Sequence, residues 1–238
     1  MKTRIQFLIK IIAIILVATS CNKNYKQCEI IQSDKKFSIY NDVLIEIVEH
    51  HTSGRYLGKD IDLLNDKILN KQIDSTEYER ELILLQNKLF GNTEKFRTIY
   101  VVDTLSDEAN QLFGLHNTWT LKMENYVNID TDSVYTQISD NPKMLFNTIN
   151  NIEYDFKYKQ FHTCTFNVKS INDFDESDFN KEIGVLLFTK VFLNKNMDEG
   201  VFYYIFKCGN QCAKGSLCQI RKVGNRWKII NDKILWIS

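Results

Sequence analysis

Residues 201–223 read VFYYIFKCGNQCAKGSLCQIRKV, and residues 226–237 continue as RWKIINDKILWI. Val201 to Lys207 is a β-branched and aromatic run, the composition of a strand. Gly224 and Asn225 then separate two further β-forming runs, which is good chemistry for a tight hairpin. The stretch carries three of the six cysteines and, in Trp227 and Trp236, two of the three tryptophans, which are expected to plug the core. Cys208 and Cys212 flank a Gly-Asn-Gln loop, tight enough to bring their α-carbons within the ~4.4–6.8 Å that a disulfide needs. The loop-entropy rule gives such a bridge about 2 kcal/mol. Their three-residue spacer differs from the Cys-x-x-Cys of redox-active pairs. Cys218 shares a strand face with Ile220, so a buried thiol and a bridge to Cys164 are both open.

Upstream of this stretch, Gly184–Phe192, Phe161–Val168 and Tyr154–Lys159 alternate in the manner of strands, and Thr98–Val102 forms another β-branched run. Before residue 96 the period changes. Phe37, Tyr40, Leu44, Ile47 and Val48 recur at helical steps toward His50 and His51; Ile61, Leu64 and Ile68 do so after Gly58. Tyr78, Leu82, Leu85 and Leu89 line a third helix, opened by a capping box of Asp74 with Glu77, stapled by Ile73 and Tyr78, and stopped at Gly91. Between residues 103 and 150 the signal is weaker, with Trp119–Val127 reading as a strand and Ser133–Ile138 as a short helix before Pro142. The expected architecture is α+β: N-terminal helices (37–91) packed on a mainly antiparallel C-terminal sheet (96–238), as one domain over 37–238.

The composition is that of a folded globular chain, with 238 residues, 44% hydrophobic, 25% charged and a single proline. The formal charge is zero. Without residues 1–20, which include Lys2, Arg4 and Lys10, 27 basic residues face 30 acidic ones. That balance argues against a nucleic-acid partner, whose binding rests on a strongly basic surface.

The N-terminus sets the compartment. Lys2, Arg4 and Lys10 make a positive leading region, and Ile11–Ala18 is a short apolar run followed by small residues. A bilayer-spanning helix needs ~20 apolar residues, and Lys10 interrupts the one candidate. Residues 1–20 therefore read as an export signal. Val17-Ala18-Thr19-Ser20-Cys21 resembles the lipobox of bacterial lipoproteins, in its looser Bacteroidota form with Ala18 where Leu is commonest. The resemblance implies cleavage before Cys21, lipidation of Cys21, and anchoring through acyl chains in a cell-envelope membrane, the outer membrane being the expected one. More than one chain is needed for a stable hold, at ~0.8 kcal/mol per buried methylene. Residues 21–36 are polar and read as a tether. The C-terminal run from Ser216 through Trp227-Lys-Ile to Ser238 also resembles the ending of uncharacterised lipoproteins of that group, which implies no activity.

Residue chemistry offers little else. His50 and His51 point ~100° apart on a helix and cannot chelate as an i, i+4 pair. His162 and Cys164 share a strand face, but with Cys212 or Cys218 they match no familiar zinc spacing, so no metal site is expected. The acidic run Asp173, Asp175, Glu176, Asp178 lacks the glycine and the final glutamate of a calcium loop and reads as solvated. No phosphate loop, nucleophile elbow, metalloprotease helix or dinucleotide turn is present, and no cofactor is expected. The expected role is a non-catalytic binding or structural module with an unspecified protein or glycan partner. An envelope hydrolase using paired carboxylates and an immunity or inhibitor lipoprotein are the alternatives.

Overall fold

A computed structural model of the chain describes residue 28 and residues 35–103, 107–113, 130–140, 157–209 and 211–238. The export signal, the lipobox at Cys21, most of the tether and the Trp119–Val127 strand lie outside the described residues.

Helix α1, Lys35–Glu46, runs into a π-helical turn, Ile47–His51, closed by the bond from Thr52 N to Ile47 O at 2.8 Å. Its expected stripe of Phe37, Tyr40, Leu44, Ile47 and Val48 is buried, but so are Ile39, Val43, Ile45 and the polar Asn41, Asp42 and Glu49. The helix is therefore enclosed by protein on nearly every side, and its polar residues are consumed internally. Asn41 accepts from His162 N at 2.8 Å, Asp42 from Trp227 N at 2.9 Å, and Glu49 from the Thr165 hydroxyl at 3.0 Å. Each bond ties the helix to a segment more than 100 residues away.

Short α2, Ser53–Leu57, leads to α3, Lys59–Leu69, and α4, Ser75–Phe90. Asp74 caps α4 by accepting from Glu77 N at 2.8 Å. The α3–α4 hairpin is clasped by Tyr78 Oη on Asn65 at 2.8 Å and Lys67 with Glu81 at 2.9 Å. Its stripe of Tyr78, Leu82, Leu85 and Leu89 is only half-buried, so this hairpin lies at the periphery.

Strands β1 (Thr98–Val101), β2 (Asn167–Ser170), β3 (Gly184–Phe188), β4 (Phe192–Leu193), β5 (Glu199–Gly209), β6 (Cys212–Val223) and β7 (Arg226–Ile237) form one sheet of order β2-β1-β3-β5-β6-β7, with β4 also on β5. The sheet is mostly antiparallel, as expected, and the fold is α+β. The exception is β1, which runs parallel to both neighbours. Parallel pairing needs a long crossover, and α5 (Asp107–Phe113) and α6 (Thr131–Asp140) lie in the chain between β1 and β2.

Between β3 and β4, four steps along the chain face three on β5, since Phe188 pairs Tyr204 and Phe192 pairs Val201. Thr189 fills this bulge, its hydroxyl accepting from Tyr203 N at 2.9 Å. That break is why the expected single strand Gly184–Phe192 is two.

The helical layer covers one face of the sheet, packing on Leu186, Phe188, Phe202, Tyr204, Phe206, Cys218, Ile220 and Trp227. On the other face, α5 and the 3-10 turns Ile171–Asp173 and Glu176–Asn180 pack on Tyr100, Val102, Val185 and Leu187, while Val134 and Tyr135 of α6 pack beside Val201, Tyr203 and Leu217. A sheet covered on both sides explains why the central strands read as continuous apolar runs.

Four sequence expectations need correction. Of the expected strand Tyr154–Lys159, residues 154–156 lie outside the described residues, and Tyr158 and Lys159 belong to a 3-10 turn, Tyr158–Gln160. Residues 161–166 are not strand, because their polar groups are taken by α1 and by local bonds such as Thr163 Oγ1 to Phe166 O at 2.5 Å. The tether does not extend to residue 36: α1 begins at Lys35, and Cys28 is buried and attached to the domain. Trp227 is a core residue, but Trp236 is 38% exposed. It lies across Gly215, where a Cβ would collide with Tyr203 Oη and Trp236 Nε1, and donates to Tyr203 Oη at 2.6 Å.

Candidate functional site

Two cysteine pairs are disulfide-bonded. Cys208 and Cys212 close the β5–β6 turn with α-carbons 5.0 Å apart. Cys164 is bonded to Cys28, α-carbons 5.2 Å apart, so the alternative bridge from Cys164 to Cys218 does not form. Cys164 sits in the irregular segment beside α1, whereas Cys218 is a free thiol buried in the middle of β6. Arg226, at the start of β7, donates to the Cys28 carbonyl. With Cys164 oxidised, its thiolate is withdrawn from any zinc set, and no cluster of metal-ligating side chains occurs among the described residues.

The chemically densest place is where β6 and β7 meet the π-turn. Cys218 and Asp232 are cross-strand partners, and Cys218 Sγ lies 3.6 Å from Asp232 Oδ1. Asp232 Oδ2 is 2.8 Å from His51 Nδ1. Lys214 donates to the His51 carbonyl at 3.0 Å and stands 5.6 Å from the Tyr204 ring centroid. Tyr204 Oη and Ser216 Oγ are buried beside this set.

This set contains a thiol, a carboxylate and an imidazole, but in the wrong order for nucleophilic chemistry. An activated cysteine needs a base or cation against sulfur. Here the carboxylate stands between sulfur and imidazole. Burial pushes the Cys218 thiol well above its ordinary value, and the Asp232 charge adds to the rise. The thiol therefore stays protonated and serves as a weak donor to Asp232. Burial also acts upward on Asp232, but the bond and charge of His51, with Lys214 nearby, outweigh it and hold the carboxyl below the usual range. Burial lowers the Lys214 ammonium and raises the Tyr204 phenol. His51, expected at a solvated helix end, is thus a half-buried structural partner.

Other buried carboxylates are equally committed. Asp103 accepts from the Ser170 hydroxyl at 2.6 Å and from Tyr158 N at 3.1 Å. Asp42 and Glu49 hold α1 to its surroundings, and burial raises the Asp42 carboxyl above its usual range. The acidic run is used in capping: Asp175 accepts from Ser177 N at 2.9 Å, and Asp178 from Asp175 N and from the Tyr100 hydroxyl. None of these carboxylates stands in a pair facing an open cleft.

An open groove of about 330 Å³ lies beside Cys164. Phe96, Tyr158, Phe161, Phe166 and Val168 supply its apolar wall, and Lys159, His162 and Asn167 its exposed rim. Lys159 lies over the Tyr158 ring at 5.7 Å. The irregular course of residues 161–166 creates it. A continuous strand would have turned alternate side chains to opposite faces. Sequence reading missed the groove because it read this segment as strand, and missed the Cys28 bond because its partner is 136 residues away. Scans against protein-family models, curated proteins and solved structures return no match for this chain.

Proposed function

We propose that this chain is a lipid-anchored protein of a bacterial cell envelope that acts there as a binding module, with no chemical step of its own. The observation that carries the reading is the pair of disulfide bonds, which belong to an oxidising compartment. One of them holds Cys28, seven residues beyond the lipobox cysteine Cys21. A fold stapled at the foot of its tether suits a domain carried on a membrane.

The binding role is supported by where residues are left unspent. The Cys218–Asp232–His51 set is ordered for stability and not for attack. The groove, in contrast, sets exposed Lys159 and His162 beside half-buried Phe96 and Tyr158, and the α3–α4 hairpin leaves Leu63, Leu69, Ile83 and Leu84 exposed. Metabolic labelling with a fatty acid tests the anchor. The wild-type chain should take up label and Cys21→Ala should not; equal labelling of both would remove the anchor from the account.

A further inference from the structure

We propose that the groove beside Cys164 faces the bilayer and receives the anionic phosphorylglycerol headgroups of the membrane that the lipidated Cys21 enters; this rests on the anchor reading above. Three observations converge on it.

The first is reach. From Cys21 to Cys28 the chain takes seven steps and spans at most about 25 Å. Cys28 is fixed twice, by its bond to Cys164 and by Arg226 on its carbonyl, so the reach of the lipid is counted from this point. The second is position. The groove is lined by Phe161, His162 and Thr163 on one side of Cys164 in the chain and by Phe166, Asn167 and Val168 on the other. The residue that fixes the tether thus lies within the segment that forms the groove wall, and the short tether keeps that wall close to the headgroups.

The third is chemistry. No carboxylate lines the groove among the described residues, while Lys159 and His162 stand on its rim, with Lys157 and Lys169 exposed in the same segments. Cations attract an anionic surface only within about a Debye length, ~10 Å at 0.1 M salt. A seven-residue leash of at most about 25 Å returns the domain to that range repeatedly, so a few lysines suffice where a freely diffusing protein would need many. The half-buried rings of Phe96 and Tyr158 suit the same setting. Aromatic rings sit well at the headgroup level, and lysine stems can lie along apolar surface with the ammonium in water. A volume of about 330 Å³ accommodates a headgroup phosphate with its glycerol.

The test uses the full lipidated protein in detergent, in phosphatidylcholine vesicles, and in vesicles one-third phosphatidylglycerol, with hydrogen exchange followed by mass spectrometry. Peptides covering residues 157–168 should exchange several-fold more slowly in the anionic vesicles than in the other two settings, while peptides from 213–237 should not change. Lys157→Glu with Lys159→Glu, both at exposed positions, should abolish the protection, as should high salt. An acylated chain with equal exchange in all three settings overturns the docking alone. Protection reproduced in detergent by glycerol phosphate also overturns it, since the groove would then take a free anion. A chain without acyl groups on Cys21 overturns the anchor reading and the docking together.

Discussion

The Cys218 thiol and the Asp232 carboxylate face each other across β6 and β7, with His51 on the far side of the carboxylate. Because burial and the neighbouring negative charge both keep the thiol protonated, Cys218 should not react with iodoacetamide in the folded protein near neutral pH. One thiol should become reactive once the chain is unfolded without reductant; rapid labelling of the native protein would contradict the geometry. Asp232 contributes to the acid limb of stability. Its folded pKa lies below the unfolded value of about 3.9, so it binds protons less readily when folded. The stabilisation is present above about pH 4 and is lost as pH falls through the folded value. Asp232→Asn should therefore lower the urea midpoint at pH 7, and its gap to wild type should narrow by pH 3. A gap that stays constant over that range would show that ionisation of Asp232 contributes nothing. Neither role was legible in the sequence, since the distance from His51 to Asp232 along the chain gives no hint of a 2.8 Å contact.

Among the elements, the β6–β7 hairpin was the most legible. Val223 pairs with Arg226 around Gly224 and Asn225, and Gly224 has φ of 62°, the left-handed conformation that glycine adopts without strain. Helix α4 was legible for a similar reason, its cap Asp74 and its end at Gly91 being local signals. Residues 161–166 misled because alternation describes side chains and not hydrogen-bond partners, and here those partners are side chains of α1 and of the π-turn. The bond that holds this segment is also the more stabilising of the two bridges on entropy grounds. Closing the loop between Cys28 and Cys164 is worth about 5 kcal/mol by the loop-length rule, against about 2 kcal/mol for Cys208 and Cys212. Calorimetry should show a larger fall in Tm for Cys28→Ala with Cys164→Ala than for Cys208→Ala with Cys212→Ala. The reverse order would mean that the tether end contributes little to the folded domain.

At the scale of the molecule, the α+β class followed from the order of periodicities, helical before residue 91 and β-rich after 96. The parallel placement of β1 did not, because strand order depends on which edge a crossover reaches and leaves no period in the sequence. The sheet has helices on one face and α5, α6 and 3-10 turns on the other, and the groove beside Cys164 and the α3–α4 hairpin are among the outward features of the described residues. Whether these serve a membrane-bound protein depends on Cys21. The most direct measurement is the intact mass, without reductant, of the protein extracted from the membranes of the cells that make it. The expected result is a chain beginning at Cys21, heavier by a thioether-linked diacylglycerol and an amide-linked acyl chain, and lighter by two hydrogens for each of two disulfides. A chain that begins elsewhere with Cys21 unmodified would contradict the lipid anchor, and one with five free thiols beyond Cys21 would contradict the two disulfides.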